Sequence, residues 1–288
     1  MISCGPYEIH SVVTGHVRLD GGAMFGVVPK VLWNRKHEAD DRNRILLATR
    51  TLLAIDRSAK RVILVDTGTG TKWDTESAAR YGVDHEGLTI KSTLERLGLA
   101  GEDVTDVVIT HLHFDHNGGL TDWADQPGGA TRVCYPQARH WVHRDHWDHA
   151  LNPTLKDRAS FWKQDFEALK EAGVLQFVEG TKPRAPFDGV EWTVSQGHTR
   201  AQLLPLFTAD DRPMLFAGDL IPTASHLPPA WVMAYDLLPL VTIEEKQAVL
   251  RRCGQDGLRL AFPHDPQTPG VELDSSSHKP AVASVLDL

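Results

Sequence analysis

Three imidazoles and a carboxylate stand within six residues, His111-Leu112-His113-Phe114-Asp115-His116, directly after a largely apolar run at 104–109 that reads as a buried strand. No other stretch restricts the fold so much. Neutral imidazole and carboxylate suit zinc, iron or manganese, and burying four such groups together is costly unless a cation satisfies them. A loop in which His111 and His113 face one way and Asp115 and His116 the other can serve two cations side by side. Gly118 and Gly119 follow at once and allow a tight turn with close approach of another backbone.

Two cations need further ligands, and the later chain offers three, each at the end of an apolar run. His198 follows residues 190–194 through a turn at Gly197, Asp219 follows 213–218, and His264 follows 258–263. Strand patterning requires none of these polar residues. Singly, each reads as a satisfied structural side chain; with the 111–116 loop they complete a set of seven donors.

The set, in this order, resembles the metallo-β-lactamase-fold hydrolase superfamily. The resemblance implies an α/β fold, the αββα sandwich: two mixed β-sheets face to face, helices outside, and metals at one edge. It implies that His111, His113 and His198 bind one metal, that Asp115, His116 and His264 bind a second, and that Asp219 bridges them. The cofactors so implied are two divalent ions, zinc first, with manganese, cobalt or iron as alternatives. In such proteins the Asp66-Thr67-Gly68 turn lies beneath the metal loop, which makes Asp66 a candidate acceptor for a ligand imidazole.

Residues 20–30, and 231–236 with Glu245-Lys246 following, are similar to the YtnP-type quorum-quenching N-acyl-homoserine lactonases. That likeness implies opening of a lactone ring by a hydroxide shared between the metals, with Asp115 and Asp219 at the catalytic centre. The same metal loop also serves hydrolases of organophosphate triesters, thioesters and other esters, and a non-catalytic binding or signalling protein can retain it. Two departures matter. Thr199-Arg200-Ala201-Gln202 stands where many lactonases have a Pro-Gly-His turn, and Pro222 stands where some carry a tyrosine, so that either Tyr235 or His226 replaces it or its assistance is absent.

A chain of 288 residues, 41% hydrophobic, can bury one large core, so residues 1–288 are expected to form a single domain with a helical lid inserted around 137–170. The net charge of −8 gives no electrostatic pull towards nucleic acid or an anionic membrane and counts against a nuclease. Cys4, Cys134 and Cys253 are odd in number and widely spaced, which suggests neither a disulfide framework nor a thiolate metal site. No leader-like start and no membrane-length apolar run is present. These features point to a soluble cytoplasmic protein acting on a small apolar lactone or ester, with a homodimer open to it.

Residues 24–33 put large apolar groups into what reads as a loop, and 221–235 are rich in proline. Met24, Phe25 and Trp33, with His226, Trp231, Met233 and Tyr235, are the candidate walls of an acyl-chain pocket. Residues 137–149 read as a surface helix bearing His140, His143, His146 and His149, with His149 or Trp147 overhanging the site. Residues 161–169 read as a second lid helix, and 242–252 as a helix starting at Thr242.

Overall fold

The computed structural model describes residues 1–274, 276 and 280–288. In chain order the first strands are β1 (Ile2–Cys4), β2 (Tyr7–Asp20), β3 (Arg44–Asp56), β4 (Arg61–Val65), β5 (Asp106–Val108), β6 (Thr121–Trp123) and β7 (Thr131–Val133). Then come β8 (Arg139–His143), β9 (Leu175–Val178), β10 (Val190–Ser195), β11 (Gln202–Phe207), β12 (Met214–Phe216), β13 (Arg259–Ala261), β14 (Gly270–Leu273) and β15 (Val282–Val285). One sheet has seven strands in the order β1-β2-β3-β4-β5-β8-β9, the other six in the order β10 to β15, and β6 pairs with β7 alone. Both large sheets are mixed: β4, β5, β8 and β9 run parallel, as do β12 and β13.

Strand alternation explains the layers. Successive side chains of a strand point to opposite faces, so along β3 Leu52 and Ala54 enter the core between the sheets, while Leu53 and Ile55 face outward. Phe207, Met214 and Phe216 meet the inner face from the second sheet. Outside the first sheet, Leu94 of the helix Ile90–Arg96 and Trp147 of the helix Arg144–Leu151 cover the outward residues. Outside the second, Val249 and Cys253 of the helix Pro239–Asp256 cover Leu204, Leu206 and Leu215. The result is the expected αββα sandwich.

Four local expectations are corrected. Residues 139–143, expected in a helix, form β8, whose His140 and Trp141 pair with Val107 and Val108 of β5; the helix begins only at Arg144. The strand's polar residues hid it: its histidines are buried and hydrogen-bonded rather than surface-facing. A helical lid therefore does not start at 137. The 161–169 helix is reduced to a 3₁₀ turn, Lys163–Asp165, and a short helix, Glu167–Glu171. Residues 24–33 are not a loop throughout, since Gly21–Phe25 and Lys30–Trp33 are short helices, the first capped by the Asp20 carboxylate accepting the Ala23 N–H at 2.8 Å. The helix placed at Thr242 starts at Pro239, a residue suited to a first helical position because its missing N–H would be unpaired there.

This fold gathers distant segments at one edge. The parallel β12 and β13 deliver Asp219 and His264 just beyond their ends, and β5 delivers the 111–116 loop. The glycines after that loop are there for space. A Cβ on Gly118 would collide with the Thr69 carbonyl, and one on Gly119 would lie 2.5 Å from the Thr67 carbonyl. All three cysteines are free. Among the described residues no helix is long and apolar enough to cross a membrane.

Candidate metal centre

All seven donors expected from the sequence converge. His111, His113, His198 and Asp219 form one group and Asp115, His116 and His264 another, with the donor atoms in each group within 4.8 Å of one another. Asp219 links the two. Its Oδ2 lies 3.2 Å from His198 Nε2 and 4.0 Å from His111 Nε2. Its Oδ1 lies 3.1 Å from His116 Nε2 and 3.2 Å from His264 Nε2. One carboxylate thus divides its oxygens between two clusters of nitrogen.

The far side of nearly every imidazole is held, and the holding groups fix the tautomers. His116 Nδ1 meets Asp66 Oδ2 at 3.0 Å, His198 Nδ1 meets Asp236 Oδ1 at 3.0 Å, and His264 Nδ1 meets the Ala48 carbonyl at 2.8 Å. Carboxylate and carbonyl oxygens can only accept, so each Nδ1 donates, and in the neutral ring Nε2 keeps the lone pair. His111 Nδ1 rests on the Thr110 hydroxyl at 3.0 Å, which itself donates to Asp66 at 2.7 Å. Asp66 therefore does what its turn suggested, and it also accepts the Thr110 N–H and the Asn117 amide.

This arrangement requires positive charge. The Nε2 atoms of His116 and His264, whose Nδ1 atoms both already donate elsewhere, face each other at 2.9 Å. His198 Nε2 likewise faces His113 Nδ1 at 3.2 Å, and the buried Nε2 of His111 has no hydrogen-bond partner. Lone pairs pressed together in a buried site repel unless a cation accepts them. Imidazole and carboxylate donors in two clusters fit a pair of divalent ions of the zinc, manganese, cobalt or iron type. The site favours positive charge at His116: burial opposes it, but Asp219 and Asp66 outweigh burial and hold the ring well above the usual imidazole range. Burial, with His116 and His113 beside it, pushes His111 well below the usual imidazole range. Burial opposes charge on Asp219 too, but His116, His264 and His198 outweigh it and hold the carboxyl well below the usual range.

Several supports had no sequence signal of their own. Asp236 orients His198. Glu245, on the helix Pro239–Asp256, accepts the Ser195 hydroxyl at 2.6 Å and the Gln196 N–H at 2.8 Å, fixing the turn that presents His198. The buried Lys246 next to it donates to the carbonyls of Trp231 and Pro228 at 2.6 and 3.1 Å. Glu245-Lys246 was legible only as part of a resemblance; its work is to brace two site loops from behind. Arg50 donates to the Phe262 and Asp265 carbonyls on either side of His264. His146 accepts the Leu112 N–H at 2.7 Å through Nε2 and donates through Nδ1 to the Arg200 carbonyl at 2.7 Å, stitching the metal loop to the His198 loop. Neither proposed overhang reaches the site: Trp147 is core, and His149 pairs with Asp157 at 2.6 Å.

A cavity of about 210 Å³ opens onto the donors and is lined by His113, Asp115, His198, Asp219 and His264. Of the candidate substrate residues, Met24, Met233 and Tyr235 form its wall. Phe25, Trp33, His226 and Trp231 do not; they stand behind it. Phe25 stacks on Trp33 and on His226, at 5.5 and 4.6 Å between ring centroids, and meets Trp231 edge-on. His226 is also hydrogen-bonded at both nitrogens, to Thr223 and to the Met24 carbonyl, so it is a packing residue and no stand-in for the missing tyrosine. The remaining wall, Leu19, Tyr81, Phe114, Ala159 and Ser160, comes from four separate segments and carries no signature in the sequence.

Fold and donor set together define a candidate dinuclear metal centre at the edge of an αββα sandwich. The chain belongs to the metallo-beta-lactamase superfamily, whose profile matches residues 51–288. A probable metallo-hydrolase of Mycobacterium tuberculosis is 28% identical over 170 residues, 55% of this chain and 52% of that protein; the chain spans about half the length of the curated relatives it matches. Among solved structures, a probable metal-dependent hydrolase from Staphylococcus aureus superposes with a TM-score of 0.89 at 29% identity, covering 100% of this chain and 99% of the other. The dizinc quorum-quenching lactonase AidC, solved with the product N-hexanoyl-L-homoserine, superposes with a TM-score of 0.79 at 18% identity, covering 100% and 97%.

Proposed function

We propose that this protein opens the ring of N-acyl-homoserine lactones, using two divalent cations held by His111, His113 and His198 on one side, Asp115, His116 and His264 on the other, and Asp219 between. The observation that carries the reading is the division of the Asp219 oxygens between the two nitrogen clusters. Two cations so held would lower the pKa of a bound water and polarise a carbonyl, which is the chemistry of hydrolysis at neutral pH. The chain's own residues do the rest. Asp219 fixes the spacing of the two clusters, and Asp115, which faces the cavity, is placed to take a proton from the attacking water and pass it to the leaving alkoxide.

Substrate choice rests on the wall. Met24, Met233 and Leu19 offer an apolar surface beside the donors, which suits an acyl chain, and methionine adapts to irregular shapes. Tyr235 supplies the one hydroxyl of the Trp231–Tyr235 segment that reaches the cavity. Burial, with Asp115 next, pushes its phenol up, so it stays protonated and donates to the substrate carbonyl in place of the tyrosine absent at Pro222. Ala159 and Ser160 close the cavity from the segment between the helices Arg144–Leu151 and Glu167–Glu171, which acts as the lid although most of it is not helical. The lactone-opening relative AidC shares this fold.

The test is proton release when zinc- or manganese-loaded protein meets a long-chain N-acyl-homoserine lactone, with an aryl phosphotriester in parallel and His111→Ala as control. Lactone turnover that disappears in the variant supports the reading. Turnover of the phosphotriester alone refutes the substrate, and stoichiometric binding without turnover of either compound refutes hydrolysis.

A further inference from the structure

A second cleft lies behind the metal loop, and the metal chemistry makes no use of it. It has a volume of about 800 Å³ and runs between the helix Ile90–Arg96 and the β6–β7 hairpin, with no lining residue in common with the cavity over the donors. Leu88, Ile90, Leu94 and Tyr135 make its wall apolar, while Thr67, Gly70 and Gly119 belong to the backbone that braces the metal loop. Thr67 is the connection: its N–H donates to the His116 carbonyl at 2.7 Å.

Two observations say what fits there. Thr67 is 2% exposed, lines the cleft, and has a buried hydroxyl with no hydrogen-bond partner. A buried unpaired hydroxyl is costly, and a ligand carrying one hydrogen-bonding group can recover that cost. The rim gives little call for an ion, because Lys91 faces Glu95 and Arg132 faces Asp122, each at 3.9 Å, the remaining carboxylate, Glu102, is exposed to solvent, and the His85 ring is engaged by the Thr14 carbonyl at 3.0 Å. A volume in the range of small-molecule pockets, an apolar wall and one unsatisfied polar group are the ordinary elements of a ligand site.

We infer that this cleft binds an uncharged, largely apolar small molecule carrying a single hydrogen-bonding group, such as an alcohol or carbonyl, which pairs with the Thr67 hydroxyl. Its occupant packs on the turn that holds His116, so the site is placed to act as an effector site distinct from the metal centre. The inference is independent of which ester the metal centre hydrolyses.

Cys134 lines the same cleft and is exposed, whereas Cys4 and Cys253 are buried, which provides a tether for the test. Metal-loaded protein is equilibrated with disulfides that deliver a phenyl ketone, a phenyl, or a hydroxyethyl group to Cys134, against increasing 2-mercaptoethanol, and occupancy is read by intact mass. The expected result is at least a tenfold greater resistance to reduction for the phenyl ketone than for hydroxyethyl. Thr67→Val brings the ketone down to the level of the phenyl group, and Leu88→Glu, at the half-exposed rim, weakens both aromatic fragments. Equal resistance of all three fragments in the unsubstituted protein overturns the inference, and so does an aromatic preference that Leu88→Glu leaves intact. A ketone preference that survives Thr67→Val overturns the assignment of the hydroxyl.

Discussion

Removing the Asp236 carboxylate should weaken one metal site and spare the other. Asp236 is 1% exposed, its Oδ1 accepts the His198 Nδ1–H at 3.0 Å, and its Oδ2 has no hydrogen-bond partner. Its side chain thus hydrogen-bonds His198 alone. A hydrogen bond to a charged group contributes about 1.5 to 3 kcal/mol, and about 1.4 kcal/mol is tenfold in an equilibrium constant. If the bond orients His198 and keeps its Nε2 lone pair on the metal side, Asp236→Ala should weaken the site of His111, His113 and His198 by about 10- to 100-fold, the range found for partners of ligand histidines. Asp236→Asn, which keeps an acceptor oxygen but not the charge, should fall between. Stepwise competition with a chromophoric chelator separates the two metals, and circular dichroism checks the fold. Asp66→Asn, acting on His116 directly and on His111 through Thr110, should weaken both sites. Wild-type affinity in folded Asp236→Ala, or an equal loss at both sites, would refute the reasoning.

Three further outcomes follow from the geometry. Tyr235→Phe should lower kcat for lactone by about tenfold, the loss of one hydrogen bond, with both metals retained; unchanged kinetics would remove Tyr235 from the reaction. Gly118→Ala should cost metal content and thermal stability together because its Cβ has no room beside the Thr69 carbonyl, and a wild-type melting curve would contradict the packing. Burial lowers Lys246 from 10.5 to about 7, with Asp236 acting the other way. Between those values the unfolded chain holds a proton that the folded chain has released, so this group makes stability rise with pH across the window. Urea unfolding should therefore show wild type gaining on Lys246→Met between pH 7 and 10, and parallel curves would refute the shift.

The site could be read so far from sequence because its chemistry is expensive to bury. His111, His113, Asp115 and His116 cannot sit after a buried strand without a cation, and His198, Asp219 and His264 each end an apolar run at a position where patterning asks for nothing polar. The pocket was less legible. Met24, Met233 and Tyr235 reach the cavity, but Phe25, Trp33, Trp231 and His226 spend their rings on one another. An aromatic residue buried in a wall and one exposed on it have the same signature in a sequence. Residues 139–143 failed for a related reason: a parallel strand whose histidines are satisfied inside the protein does not alternate.

The sequence by itself determined the candidate donor residues, their order and the alternation that stacks sheet on sheet, since these follow from residue chemistry and from the period of a strand. Tertiary structure alone decided which oxygen of Asp219 serves which cluster, that Asp236 rather than a neighbour orients His198, and that Glu245 and Lys246 brace the site from 50 and 15 residues away along the chain. Those are contacts between segments whose separation in sequence carries no information about their distance. Only the closing of two sheets on a common edge makes them neighbours.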